Sequence, residues 1–139
     1  MLSKEIKQSK WQGWLPLNKG NRITVKNIER VPKKLRGVYI IKQNKAFRRI
    51  KGESDIIYIG QGKVQDRLWA ITGCFFKEGK NWHHTAKEEI YRLIREENKR
   101  LKFAFYITKK CKMLEDKFLK KYEKDHIELP PLNKSIGAH

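Results

Sequence analysis

The chain is short of cysteine, short of acid and without a long apolar run, and each shortage excludes something. Two cysteines, Cys74 and Cys111, occur in 139 residues, too few for a disulfide framework, and no Cys/His spacing suggests a zinc site. No apolar stretch approaches the ~20 residues that cross a bilayer, so no membrane partner is expected. The opening MLSKEIKQSK has no hydrophobic segment of the kind a secretory signal needs. With its thiols free, the protein is expected in the cytoplasm. Neither an internal repeat nor a low-complexity linker divides the chain, which argues for a single domain. Apolar residues at 39% exclude wholesale disorder.

Acid is the most telling shortage. Fifteen Asp+Glu face 33 Lys+Arg, for a formal charge of +18. Such a field attracts polyanions, and the release of condensed counterions makes nucleic-acid binding favourable and salt-dependent. Charge alone does not separate DNA from RNA or from an anionic lipid surface.

Residues 1–35 read as a basic N-terminal extension packed on the core, with Trp11 and Trp14 expected as core cover rather than as base-stacking platforms. From residue 36 the pattern sharpens. Gly-Val-Tyr-Ile-Ile (37–41), Asp-Ile-Ile-Tyr-Ile-Gly (55–60) and residues 103–108 are short, β-branched and aromatic, and predict three strands. The first two are expected to pair antiparallel around a long polar loop. Helices are predicted over 64–71, over 85–98 behind a capping box of Thr85 and Glu88, and over 112–126 before Pro130-Pro131. The order β-β-α-α-β-α describes a small α/β domain, a three-stranded antiparallel sheet flanked by helices.

Two charges interrupt apolar stripes. Cys111, Leu114, Glu115, Phe118, Leu119, Tyr122 and His126 follow a 3.6-residue period, and Glu115 is its one carboxylate. Withdrawing it from water is costly unless a cation faces it. Val64, Arg67, Leu68 and Ile71 repeat the pattern, with Arg67 in mid-stripe. Either the two charges form a buried salt bridge, or they point into a concave site, one toward a metal ion and one toward a phosphate.

These residues stand in a familiar order. Gly37-Val38-Tyr39 and Tyr58-Ile59-Gly60, followed by Arg67, Glu115 and Pro131-Leu132-Asn133, resemble the GIY-YIG nuclease superfamily, with Val38 in place of the usual Ile. The resemblance spans residues 37–133 and implies a stand-alone endonuclease that hydrolyses DNA phosphodiesters with one Mg²⁺ or Mn²⁺ and no small-molecule cofactor. It implies that Tyr39 acts as, or positions, the general base for the attacking water, that Tyr58 relays hydrogen bonds beside it, and that Arg67 stabilises the pentavalent phosphate. Glu115 would be the metal ligand, and Asn133 would support the site. The chemistry suits the residue types: hard cations prefer carboxylate oxygen, and guanidinium matches phosphate as a bidentate donor. A tyrosine with an ordinary pKa of about 10 needs help to serve as a base. Several family members place a His or Tyr one turn beyond the arginine, where this chain has Ile71. Other members use a Lys just after the second triplet, where this chain has Gln61 and, slightly later, Lys63; the resemblance makes Lys63 the expected helper, with His83 and His84 as further candidates.

Lys33, Lys34, Arg36, Arg48 and Arg49 are the expected phosphate contacts, which position nucleic acid without reading its sequence. The competing reading is a catalytically inactive DNA- or RNA-binding module on the same fold.

Overall fold

The β-branched and aromatic runs do form strands, but they extend well past their apolar cores. The computed structural model describes residues 2–73 and 86–134. Its elements run α1 (Leu2–Gln8), β1 (Leu15–Pro16), β2 (Asn18–Lys19), β3 (Arg22–Ile23), α2 (Val25–Glu29), β4 (Arg36–Arg48), β5 (Glu53–Lys63), α3 (Val64–Thr72), α4 (Lys87–Arg95), β6 (Leu101–Ile107) and α5 (Cys111–His126). The fold is mixed α/β. No helix among the described residues is long and apolar enough to cross a membrane.

The main sheet is antiparallel in the order β1-β6-β4-β5, and β2 and β3 form a separate two-stranded ribbon. Four strands replace the three expected. The extra one, β1, pairs only Leu15 with Phe103 and Pro16 with Lys102, too short for any periodicity and closed by a proline that tolerates only an edge. The polar stretch 42–55, expected as a long loop, is mostly strand. Register slips twice between Ile41 and Phe47: Lys42 faces Ile56, which leaves Ile57 extra on β5, and Phe47 faces Ser54, which leaves extra residues on β4. Past Ile41 this ribbon carries no buried residue on β4, so no apolar alternation marked it as strand.

The sheet is covered on both faces. One cluster joins Tyr39, Ile41, Ile57 and Tyr58 to Leu68 and Ile71 of α3, Ile90 and Ile94 of α4, and Ile28 of α2. The other joins Val38, Ile40, Ile56 and Ile59 to Leu2 and Ile6 of α1 and to Cys111, Phe118, Leu119 and Tyr122 of α5. The first 35 residues are thus part of the fold: Ile6, Leu17 and Ile28 are completely buried. Trp11 packs on Tyr106 and Phe118, with ring centroids 5.8 and 5.6 Å away. The Lys42 ammonium sits 4.3 Å over the ring of Trp14. Both indoles are engaged within the protein.

Helix ends follow local chemistry. α3 stops at Gly73, whose φ of 71° provides the left-handed cap. α4 stops at Arg95, short of the expected Asn98, which itself adopts φ 50°. Thr85 of the expected capping box lies outside the described residues, as does Cys74.

Buried Asn18 ties the N-terminal segment to β6. Its amide donates to the carbonyls of Gly20 (2.6 Å) and Lys99 (2.8 Å), and its oxygen accepts from the Leu101 N–H (2.6 Å). Asn18→Ala removes three bonds and strands a buried N–H, so we expect a loss of about 2–3 kcal/mol in urea unfolding. A change below about 0.5 kcal/mol, the range of a neutral surface substitution, would show that the segment is held otherwise.

Candidate active site

The two triplets face each other across β4 and β5, and their glycines are required by contact distance. Tyr39 lies opposite Gly60 and Gly37 opposite Gly62. A Cβ on Gly60 would stand 2.4 Å from Cζ of Tyr39 and 2.8 Å from Cε2 of Tyr58. The glycine is the floor on which both rings rest. A Cβ on Gly37 would stand 2.1 Å from the Tyr106 carbonyl oxygen of β6, so this glycine lets the central strand close on its neighbour. The Tyr39 and Tyr58 rings lie 6.0 Å apart at their centroids, tilted by 40°.

Arg67 joins them. It lies one turn into α3, its aliphatic stem beside Gly62, where a Cβ would be 3.4 Å from Cγ, and its guanidinium hydrogen-bonds the Tyr39 hydroxyl. Tyr39, Tyr58 and Arg67 therefore form one contact group. The Tyr39 hydroxyl is held well above the usual tyrosine pKa, first by burial, then by the charge of an ionised Tyr58, while Arg67 pulls the other way. Desolvation wins, so the hydroxyl is protonated at neutral pH. It can orient a water or a phosphate oxygen through hydrogen bonds.

Lys63 stays outside this buried group. It is exposed at the junction of β5 and α3, and among the described residues Arg67 is a cation at the Tyr39 hydroxyl. His83 and His84 lie outside the described residues.

Asn133 is a clamp. β5 is the outer strand of the sheet, and the Asn133 side chain accepts from the Ile59 N–H (2.9 Å) and donates to the Ile59 carbonyl (2.8 Å), while the Leu132 N–H bonds the Ile57 carbonyl (3.0 Å). Ile59 lies between Tyr58 and Gly60, so the terminal Pro-Leu-Asn fixes the strand that carries the second triplet. Asn133 positions the site through backbone.

Glu115 is completely buried, and it is the one buried acidic residue among those described. Its stripe packs on the sheet face that carries Val38, Ile40 and Ile59, whereas Tyr39 and Tyr58 belong to the other face. The two faces meet along the outer edge of β5, which Leu132 and Asn133 cover at Ile57 and Ile59. One turn before Glu115, the Cys111 thiol donates to the Gln61 side-chain oxygen at 3.2 Å. That contact anchors the start of α5 beside the second triplet, and a sequence pattern gave no sign of it.

Of the five expected phosphate contacts, Lys33, Lys34, Arg36 and Arg48 are exposed. Arg49 has another role. It pairs with Glu128 at 2.8 Å, donates to the Leu129 carbonyl and has a side chain only 12% exposed, tying the β4–β5 turn to the end of α5. Its guanidinium is thus engaged within the protein, whereas Arg48 is exposed.

No family model, curated protein or solved structure matches the chain. The reading of the site rests on the residues and their geometry.

The raised Tyr39 pKa has a measurable consequence. A folded pKa above the unfolded value means stability that is complete below about pH 10 and lost as pH climbs from there toward the folded pKa. Thermal melts from pH 8 to 11 should show a steep alkaline decline that is shallower in Tyr39→Phe. Parallel declines in the two proteins would mean that the hydroxyl ionises freely.

Proposed function

We propose that the chain is a divalent-metal-dependent endonuclease that hydrolyses DNA phosphodiesters. The observation that carries the reading is the contact group itself. Two tyrosines from facing strands and an arginine from the next helix converge over a glycine that admits no side chain. That arrangement can hold a phosphate oxygen, orient a water and offset developing negative charge. The fold supports the resemblance to the GIY-YIG nucleases in its mixed α/β character and antiparallel sheet.

The residues also fit a metal ion of the expected kind. Among the described residues no group of three or more His, Cys, Asp or Glu gathers, so a preformed cage is not the model to apply. Mg²⁺ keeps several waters and takes one or two carboxylates together with substrate phosphate, and Glu115 is the buried carboxylate for that task. A bound ion would polarise a phosphoryl oxygen and stabilise the leaving alkoxide. The chain's own contributions are distinct. Arg67 offers a planar fork to the equatorial oxygens, the Tyr39 O–H directs the attacking water, and Tyr58 holds Tyr39 in place. Asn133 keeps the second triplet's strand from shifting. A phosphodiester that reaches both Glu115 and Arg67 would cross the outer edge of β5 beyond the stretch at Ile57 and Ile59 that Leu132 and Asn133 cover.

One observation favours the inactive binding module instead: Tyr39 and Glu115 are both 0% exposed, so substrate must displace something to touch them. Glu115→Gln separates the readings. In the nuclease, the variant melts near wild type, binds DNA at least as tightly, and loses cleavage at every Mg²⁺ or Mn²⁺ concentration. If Glu115 serves only as the counter-charge of a buried cation, the same change costs about 3–5 kcal/mol and leaves specific activity intact. A wild type that cuts with neither ion makes the module the right reading.

Two further substitutions assign the roles. Tyr39→Phe should lower the cleavage rate by about 10²–10⁴, the range for a group that handles the attacking water. Arg67→Lys should cost a large part of the rate with little change in melting, because charge persists while the fork is lost. A lysine variant that melts early but cuts normally would return Arg67 to a structural role.

A further inference from the structure

Three segments distant in sequence converge at the end of the sheet beside Arg67, and all of them bring lysine or arginine. The Arg36 carbonyl at the start of β4 accepts from the Thr108 N–H (3.0 Å), and the Leu35 carbonyl accepts from the Val64 N–H (3.2 Å). Arg36 pairs directly with Lys63 across the ladder. Beyond β6 the chain passes Lys109 and Lys110 into the first turn of α5, where the Lys110 N–H is held by the Thr108 hydroxyl at 3.1 Å and Lys112 follows. All five basic residues are exposed.

Their orientation is fixed by the strand period. The Gln61 side chain meets Cys111, so it projects toward α5. Lys63 stands two residues further along β5, about 7 Å on, and projects the same way, as does its partner Arg36. Lys110 and Lys112 flank Cys111 on the helix itself. Two cations directly opposite each other in a ladder repel and destabilise the pair. No acidic residue takes part in the described ion pairs at this end: those of Lys42, Arg49, Arg92 and Lys121 lie elsewhere. A cross-strand pair of like charge, with three more lysines at the same end of the sheet, is an arrangement that a bound anion relieves.

We propose that this end of the sheet is a platform for the phosphate backbone of a nucleic acid, with Arg36 and Lys63 sharing one phosphate and Lys109, Lys110 and Lys112 taking its neighbours. The platform lies on the α5 side of the sheet, opposite the face on which Arg67 meets Tyr39, at the end where Lys63 leads into α3. It deepens the nuclease reading and rests on it for the choice of partner. It also gives Lys63 a role on the surface, where the structure places it, and delivers the backbone to the edge of β5.

The test measures binding of the full chain to a 20-base-pair duplex in EDTA, where no cleavage intervenes, over a range of salt. Each lost phosphate contact flattens the log–log salt dependence by about 0.9. Lys109→Gln/Lys110→Gln/Lys112→Gln should therefore flatten it by about 2–3, and Arg36→Gln/Lys63→Gln by about 1. Lys120→Gln/Lys124→Gln, further along α5, should leave the slope unchanged. In the absence of nucleic acid, Arg36→Gln should melt at or above the wild-type temperature, since it relieves a repulsion; a structural role would lower it. Equal flattening in the Lys120/Lys124 variant would reduce the platform to diffuse charge and overturn it. So would a platform triple that loses binding to phosphatidylserine vesicles while its duplex slope stays at wild type. The nuclease reading fails separately: an unchanged slope with metal-dependent cutting sinks the platform alone, whereas a flattened slope without cutting sinks the enzyme alone.

Discussion

Everything at the candidate site depends on one close approach, the ring of Tyr39 lying on the backbone of Gly60. With a Cβ there the gap to Cζ would be 2.4 Å, well inside any real contact, so no other residue can stand at position 60 without moving the ring. The same glycine bears the Tyr58 ring. Because side chains alternate along a strand, a one-residue slip between β4 and β5 would put the two tyrosines on opposite faces. The register is secured on the outer side by Asn133, which occupies the N–H and carbonyl of Ile59 that would otherwise face outward from an edge strand. A residue near the end of the chain thus protects the geometry of a residue 94 positions before it, by satisfying two backbone groups.

Burial decides the chemistry of that geometry. Tyr39 is withdrawn from water, and the nearby guanidinium does not compensate for the lost solvation. A hydroxyl in such a place stays protonated and acts by direction rather than by charge. In the proposed nuclease the labour is divided: Arg67 meets the phosphate, Tyr39 and Tyr58 supply oriented hydrogen bonds, and Glu115 supplies the carboxylate for a cation.

The surplus of positive charge is distributed with purpose. Some of it is consumed inside the protein. Arg49 staples the hairpin turn to the end of α5, and Lys42 is shared between Asp55 at 3.5 Å and the ring of Trp14. What remains free at the sheet end is concentrated where three strand termini and the first turn of α5 meet. Composition reports the sum of these charges, and the fold sorts them into structural and available ones.

The sequence by itself determined the elements that carry strong local signals. The apolar centres of β4, β5 and β6 were legible from β-branched and aromatic runs, α5 from its stripe, and the burial of Glu115 from its phase within that stripe, because burial repeats with the period of the element. The pair of triplets was legible too, though only as a pattern: the contact that explains Gly60 joins residues 21 positions apart, and the one that explains Gly37 reaches Tyr106, 69 positions on. Tertiary structure alone decided the rest. It converted the first 35 residues from an extension into a fourth strand and two core-forming helices, since a two-residue strand has no period and acquires its partner only from β6. It made Asn133 a backbone clamp, gave Arg49 to Glu128 and left Lys63 on the surface. None of those outcomes has a local cause: each depends on which distant group stands within about 3 Å, and a linear pattern contains no such distance.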